Sequence, residues 1–229
     1  MEQSAKKKYF HLKLLSIELL IVLLVFVCSF FLVVLMIKRV FLEKKETWDF
    51  KVFNFFNHYI SDTATSVMQF FTFLGSHYFL IPANLLLIGY CLFIKRDSWF
   101  AIKTAAVAIS SLVLMFSLKF IFHRPRPLIP LLDAVPGLSF PSGHAFMSFS
   151  FFGLLIYMIN KKVKSKWLKY SLMSFLLLVV ITIGISRIYL RVHYASDVVA
   201  GFSLGLMWLV ISLWILHVIE KKKSHQIDH

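Results

Sequence analysis

The stretch LLSIELLIVLLVFVCSFFLVVLMI, Leu14 to Ile37, decides the architecture. It exceeds the roughly 20 apolar residues that a helix needs to cross the hydrocarbon core of a bilayer. In that medium each backbone N–H and C=O must be satisfied within the segment, which a helix achieves. Its one charge, Glu18, lies near an end, where the side chain can reach the interface. No small-residue cleavage site follows, so the run reads as a retained anchor rather than a removed leader. Five more apolar runs follow, at about Tyr78–Ile94, Phe100–Phe122, Gly143–Ile159, Leu168–Ile185 and Ser196–Val218. The sequence therefore predicts an all-α, polytopic membrane bundle of six transmembrane helices, one domain over residues 1–229.

The chain is 59% hydrophobic and 16% charged, against about one-half and one-quarter in a soluble domain. Its net charge of +14 could suggest nucleic acid. The lysines, however, sit at the ends of apolar segments, and no polar domain carries a basic stripe, so a nucleic-acid partner is excluded. Lys6, Lys7, Lys8 and Lys13 precede the first span. Lys95, Arg96 and Lys103 share its starting side, as do Lys161, Lys162, Lys164, Lys166, Lys169, Lys221, Lys222 and Lys223. That side, with both termini, is expected to be cytoplasmic. On the opposite side Lys38, Arg39, Lys44, Lys45 and Lys51 are offset by Glu43, Glu46, Asp49 and Asp62. Thr47 to Leu74 is rich in aromatics, among them Trp48, Phe50, Phe53, Phe55, Phe56 and Tyr59. It reads either as an extracytoplasmic interfacial helical segment or as a packed extension of the second span. Cys28 and Cys91 both lie in apolar runs and form neither a disulfide framework nor a metal pair.

Three motifs fall on the extracytoplasmic side of this topology. Lys119, Arg126 and Arg187 are cations at the mouths of three different spans, and cations at membrane depth are costly unless an anion compensates them. Acids are scarce there, chiefly Asp133 and Asp197. A bound multi-oxygen anion would supply the compensation, and Arg suits forked bonding to phosphate. Pro141-Ser142-Gly143-His144 opens the fourth span with a good N-cap and free N–H groups that favour an anion. His193 and Asp197 are four apart and share a helix face if the sixth helix has begun by then; the carboxylate can hold one ring nitrogen protonated and direct the other as a lone pair. An isolated Ser-Gly helix start or an isolated His-x3-Asp is more often structural; only their conjunction points to chemistry. Arg124 and Arg191 stand beside the motifs as candidate headgroup contacts, with plain attraction to anionic lipid as the alternative. His123 is read as a spectator. No acidic cluster exists to hold a divalent metal, so neither metal nor cofactor is expected.

The series Lys119-x6-Arg126-Pro127, Pro141-Ser142-Gly143-His144 and Ser186-Arg187-x5-His193-x3-Asp197 resembles the type 2 phosphatidic acid phosphatase (PAP2) superfamily, which includes vanadium haloperoxidases. The resemblance covers about Lys119 to Gly201 and points to the bacterial membrane lipid phosphatases. It implies that His193 attacks phosphorus and forms a phosphohistidine, that Asp197 orients it, and that His144 protonates the leaving oxygen and then activates water. It implies that Lys119, Arg126, Ser142, Gly143 and Arg187 bind phosphoryl oxygens. Ala195 departs from the proline of many relatives, which would only loosen the start of the last helix. The expected function is metal-independent hydrolysis of a lipid phosphate or pyrophosphate arriving laterally from the bilayer. Undecaprenyl pyrophosphate, phosphatidylglycerol phosphate and phosphatidic acid are the candidates. A vanadate-dependent haloperoxidase is the alternative enzyme, and a non-catalytic lipid-phosphate binder or transporter the alternative from another class.

Overall fold

Long apolar runs, lacking any polar solvent for their backbone, fold as helices, and the computed structural model contains α-helices and no strand among its described residues. Those residues are 2–128, 130, 131 and 136–227, with side chains described for 19–222 of that set. Asp133 and the side chains of Lys6, Lys7, Lys8, Lys13, Glu18 and Lys223 lie outside it. In chain order the helices are α1 (Glu2–Ile37), α2 (Thr47–Asn57), α3 (Asp62–Leu74), α4 (His77–Gly89), α5 (Ser98–Phe122), α6 (Gly143–Lys162), α7 (Lys166–Tyr189) and α8 (Ala195–Ile227). Six are long and apolar enough to span a membrane: 19–42, 77–94, 98–122, 143–162, 166–189 and 195–222. The first runs past the expected Ile37, because a wider π-type turn, Lys38–Leu42, continues it.

The centre of the bundle is α6, packed against α5, α7 and α8; α1 lies on α8 and α4 on α5. The α6–α8 approach has a definite cause. A Cβ on Gly201 would stand 2.7 Å from the Ser142 carbonyl oxygen, and one on Gly205 would stand 2.9 Å from that of Phe146. Small residues four apart let two membrane helices meet backbone to backbone. This contact seats the first turn of α6 against the first turns of α8. Elsewhere much of the exposed surface of the spans is apolar, with Phe93, Phe116, Phe120 and Trp214 among the exposed side chains, which suits contact with lipid.

The segment after the first span is helical, as expected, and is separate from α4 rather than an extension of it. It forms α2 and α3, both packed on α7, with α2 also reaching α8. Phe53 of α2 buries against Ala145, Ile188, Tyr194 and Val198. Tyr189 reaches across to α3, its hydroxyl 3.2 Å from Thr65 Oγ1 and 3.3 Å from the Ser61 N–H it accepts from. The aromatic residues that suggested a headgroup-level helix thus serve partly as a cap on one end of the bundle.

Gly201→Ala should lower the thermal unfolding midpoint in detergent, by an overpacking cost of about 1–3 kcal/mol, and lower activity with it. Gly89→Ala meets nothing within 4 Å and should be neutral or stabilising by up to about 1 kcal/mol. Equal behaviour of the two would refute the close approach of α6 and α8.

Candidate active site

The ends of α5, α6, α7 and α8 that meet α2 and α3 bring all three motifs together, and Asp197 sits at their junction. It lies in the first turn of α8 and is fully buried. Its Oδ1 accepts from Arg124 Nη1 at 2.6 Å. Its Oδ2 accepts from the Tyr194 N–H at 2.9 Å and from the Ser139 hydroxyl, and lies 3.4 Å from His193 Nδ1. Its backbone carbonyl accepts from the Ser142 N–H at 3.0 Å. One residue therefore joins the second and third motifs through both side chain and main chain.

His193 is buried, with Nδ1 also 3.3 Å from Ser139 Oγ. Since Ser139 donates to Asp197, Nδ1–H is the donor in this corner, and Nε2 carries the lone pair. Nε2 lies 3.5 Å from Arg126 Nη1. Burial, followed by the charges of Arg187, Arg126 and Lys119, pushes the His193 imidazole well below its usual 6.5, so the neutral ring is favoured. A neutral ring with its lone pair facing cations is arranged to attack an electron-poor centre held by those cations.

Those cations come from three elements. Lys119, in the last turn of α5, donates to the Leu138 carbonyl. Arg126 bonds the carbonyls of Gly137 at 3.2 Å and Val192 at 2.9 Å. Arg187, in the last turn of α7 and 3% exposed, donates Nη1 to Thr72 Oγ1 at 2.7 Å, while its Nε is buried with no partner among the described residues. A buried guanidinium with an idle N–H can still take a further acceptor; Arg124 Nε is likewise without a partner among the described residues, so the case for Arg187 rests on its place beside the other cations. Ser142 caps α6, its hydroxyl accepting from the Ala145 N–H. The N–H groups of Gly143 and His144 then have no intrahelical acceptor, and they favour an anion. Gly143 Cα lies beside Lys119, where a Cβ would be 3.7 Å from Lys119 Cε. His144 is half-buried, makes no side-chain hydrogen bond among the described residues, and packs near Gly75 at the α3–α4 junction.

Two expectations change here. Arg124 is 4% exposed, and is not free for a headgroup. Besides Asp197 it bonds Ser196 Oγ at 2.7 Å, Asp49 Oδ2 at 3.0 Å and Glu46 Oε1 at 3.3 Å, and its Cζ stands 3.9 Å above the Tyr194 ring. Acids at this end are also less scarce than sequence position suggests, since Asp49, which is 2% exposed, comes in from α2. Removing one partner of such a buried pair costs about 3–5 kcal/mol. Arg191 instead reaches Asn57 of α2. His123 ends α5 in a left-handed conformation, its ring edge-to-face with Phe120. Ser139, Thr72 and Asp49 are the contributors that sequence reasoning missed. Ser139 stands two residues before Pro141 and was the one within reach of a local pattern.

This arrangement defines a class. The PAP2 superfamily matches residues 100–221, and the chain belongs to that superfamily. It is an integral, multi-pass membrane phosphatase of the PAP2 type. In sequence it is 33% identical over 145 residues to phosphatidylglycerophosphatase B of Bacillus subtilis (strain 168), covering 62% of this chain and 70% of that protein. It is 38% identical over 76 residues to the bacitracin transport permease protein BcrC of Bacillus licheniformis, covering 33% of this chain and 32% of that one. In structure it is similar to the first transmembrane PAP2 type phosphatidylglycerolphosphate phosphatase from Bacillus subtilis, with a TM-score of 0.75, 25% identity, and coverage of 86% of this chain and 96% of that one. LpxE of Aquifex aeolicus gives a TM-score of 0.55 and 31% identity, covering 72% of this chain and 93% of that one.

Thr72→Val should weaken competitive inhibition by inorganic phosphate about fivefold, the value of one lost hydrogen bond that holds Arg187. An unchanged inhibition constant would show that Arg187 does not depend on Thr72.

Proposed function

We propose that this chain hydrolyses the terminal phosphate of a membrane lipid through a phosphohistidine at His193. The observation that carries the reading is the oriented His193–Asp197 pair, whose free ring nitrogen faces the guanidinium of Arg126. Phosphoryl transfer needs little from a protein beyond positioning and charge on the equatorial oxygens. Lys119, Arg126, Arg187, the Ser142 hydroxyl and the N–H groups of Gly143 and His144 would supply that charge and hold the phosphoryl group. The Nε2 lone pair of His193 attacks phosphorus, the P–Nε2 bond forms, and the bond from phosphorus to the lipid oxygen breaks. His144 gives its proton to the departing oxygen. Water then attacks phosphorus, His144 takes the water's proton, and the P–Nε2 bond breaks to release inorganic phosphate and neutral His193. No step uses a metal.

The favoured substrate is phosphatidylglycerol phosphate, on the strength of the similarity to phosphatidylglycerophosphatase B. The lipid would arrive laterally from the bilayer, since the cluster lies at the ends of the spanning helices. The lysine distribution favours an extracytoplasmic site with both termini cytoplasmic. Purified protein in EDTA should release phosphate fastest from phosphatidylglycerol phosphate in a panel with undecaprenyl pyrophosphate and phosphatidic acid. Sealed right-side-out vesicles should release it outside. His193→Ala should lower the rate by at least about 10³-fold, the scale on which a nucleophile matters. Undiminished release by that variant would end the nucleophile assignment, and halide oxidation with added vanadate would favour the haloperoxidase reading.

A pH profile follows from the depressed imidazole. His193 has to be neutral to attack, so activity is lost on the acid side only as pH falls through its lowered pKa. The acid limb of kcat/KM should therefore lie below 6.5. An acid limb above pH 7 would contradict the cationic surroundings assigned to His193.

A further inference from the structure

We propose that Arg124 is a positioning residue for the nucleophile. Its guanidinium, anchored by Asp49 of α2, fixes the Asp197 carboxylate so that one oxygen remains to hold His193. This rests on the proposed roles of His193 and Asp197, and adds to them a residue behind the carboxylate and a helix outside the spans.

A buried carboxylate can present either oxygen by turning about its last torsion. Here the two oxygens have different work. Oδ1 is taken by Arg124 at 2.6 Å. Oδ2 takes the Tyr194 N–H and the Ser139 hydroxyl, and faces His193 Nδ1. Arg124 is itself held through both terminal nitrogens and one face, while its Nε has no partner among the described residues. Its Nη1 also reaches Ser196 Oγ, its Nη2 reaches Asp49 and Glu46, and its face covers Tyr194. Asp49 is tied in turn to the start of α8, accepting from the Ser196 N–H at 2.8 Å and hydroxyl at 2.7 Å. One planar fork between two buried carboxylates is a task for Arg, since an ammonium offers no rigid pair of donors. No hydrogen bond joins Arg124 to His193, so its influence passes through Asp197.

This predicts more than lost stability. The charged and titratable groups around His193 are Asp197 of α8, His144 of α6, Arg187 of α7, Lys119 of α5 and Arg126 of the following loop. Arg124 balances the Asp197 charge from behind. Without that balance the carboxylate stabilises the imidazolium more strongly, and His193 protonates at higher pH.

The test uses purified full-length Arg124→Gln, Arg124→Lys and Asp49→Asn in detergent, with kcat, KM and the acid limb measured for each. Folding is followed by gel filtration and thermal unfolding. Arg124→Gln should lose kcat by roughly 10- to 100-fold, the cost of a misaligned reacting group, with KM within about twofold. Its acid limb should move to higher pH. Arg124→Lys should recover part of both. Asp49→Asn, which loosens the anchor and keeps Arg124, should lose kcat several-fold at unchanged KM. Should Arg124→Gln fail to fold, Asp49→Asn and Arg124→Lys carry the test. A wild-type acid limb, with kcat reduced only in proportion to the folded fraction, would reduce Arg124 to a structural brace and overturn the proposal. Activity retained in His193→Ala would instead overturn the nucleophile reading on which it rests.

Discussion

The buried carboxylate of Asp197 is the interaction on which this end of the molecule depends. A charge at zero exposure survives only when every lone pair is used, and here an arginine, a serine hydroxyl, a backbone N–H and an imidazole use them. The partners come from three different stretches of chain. Arg124 follows α5, Ser139 precedes α6, and His193 and Tyr194 join α7 to α8. Satisfying one carboxylate therefore ties together the ends of four membrane helices, α5, α6, α7 and α8. The main-chain carbonyl of the same residue takes the Ser142 N–H, so the anion-favouring helix start is set by the same anchor.

A second constraint works with it. The contact of Gly201 and Gly205 with the first turn of α6 brings two backbones to within side-chain-free distance. Close approach supplies the scaffold, and the carboxylate network supplies the alignment. On the opposite side Thr72 of α3 accepts from Arg187, and Gly75 leaves room for His144. The two helices outside the spans thus support both halves of the cluster, Asp49 of α2 behind the carboxylate and Thr72 of α3 beneath a cation.

The six spans were legible because lipid forces long apolar runs to be helices, whatever their neighbours. The motif residues were legible because their spacing is local and their chemistry convergent: Lys119 to Arg126, Ser142 to His144, His193 to Asp197. Legibility failed where the fold joins distant positions. Thr72 meets Arg187 across 115 residues, and Asp49 meets Ser196 across 147. Neither Thr72 nor Asp49 belongs to a local pattern, and an acid among interfacial aromatics reads as a solvated charge. Arg124 was misplaced for the same reason: next to a phosphate-type motif, an arginine suggests a ligand contact until a buried acid from another helix is found against it. Ser139 is the middle case, separated from Asp197 by 58 residues but adjacent to a recognised motif.

A histidine nucleophile must pass through a covalent phosphohistidine. Protein mixed with a phosphate-labelled lipid, quenched in alkali within a turnover and digested, should carry the label on the peptide containing residue 193, on a ring nitrogen. The label should vanish in His193→Ala. Turnover with no labelled peptide at any quench time, or a label on another side chain, would contradict an oriented histidine as the nucleophile.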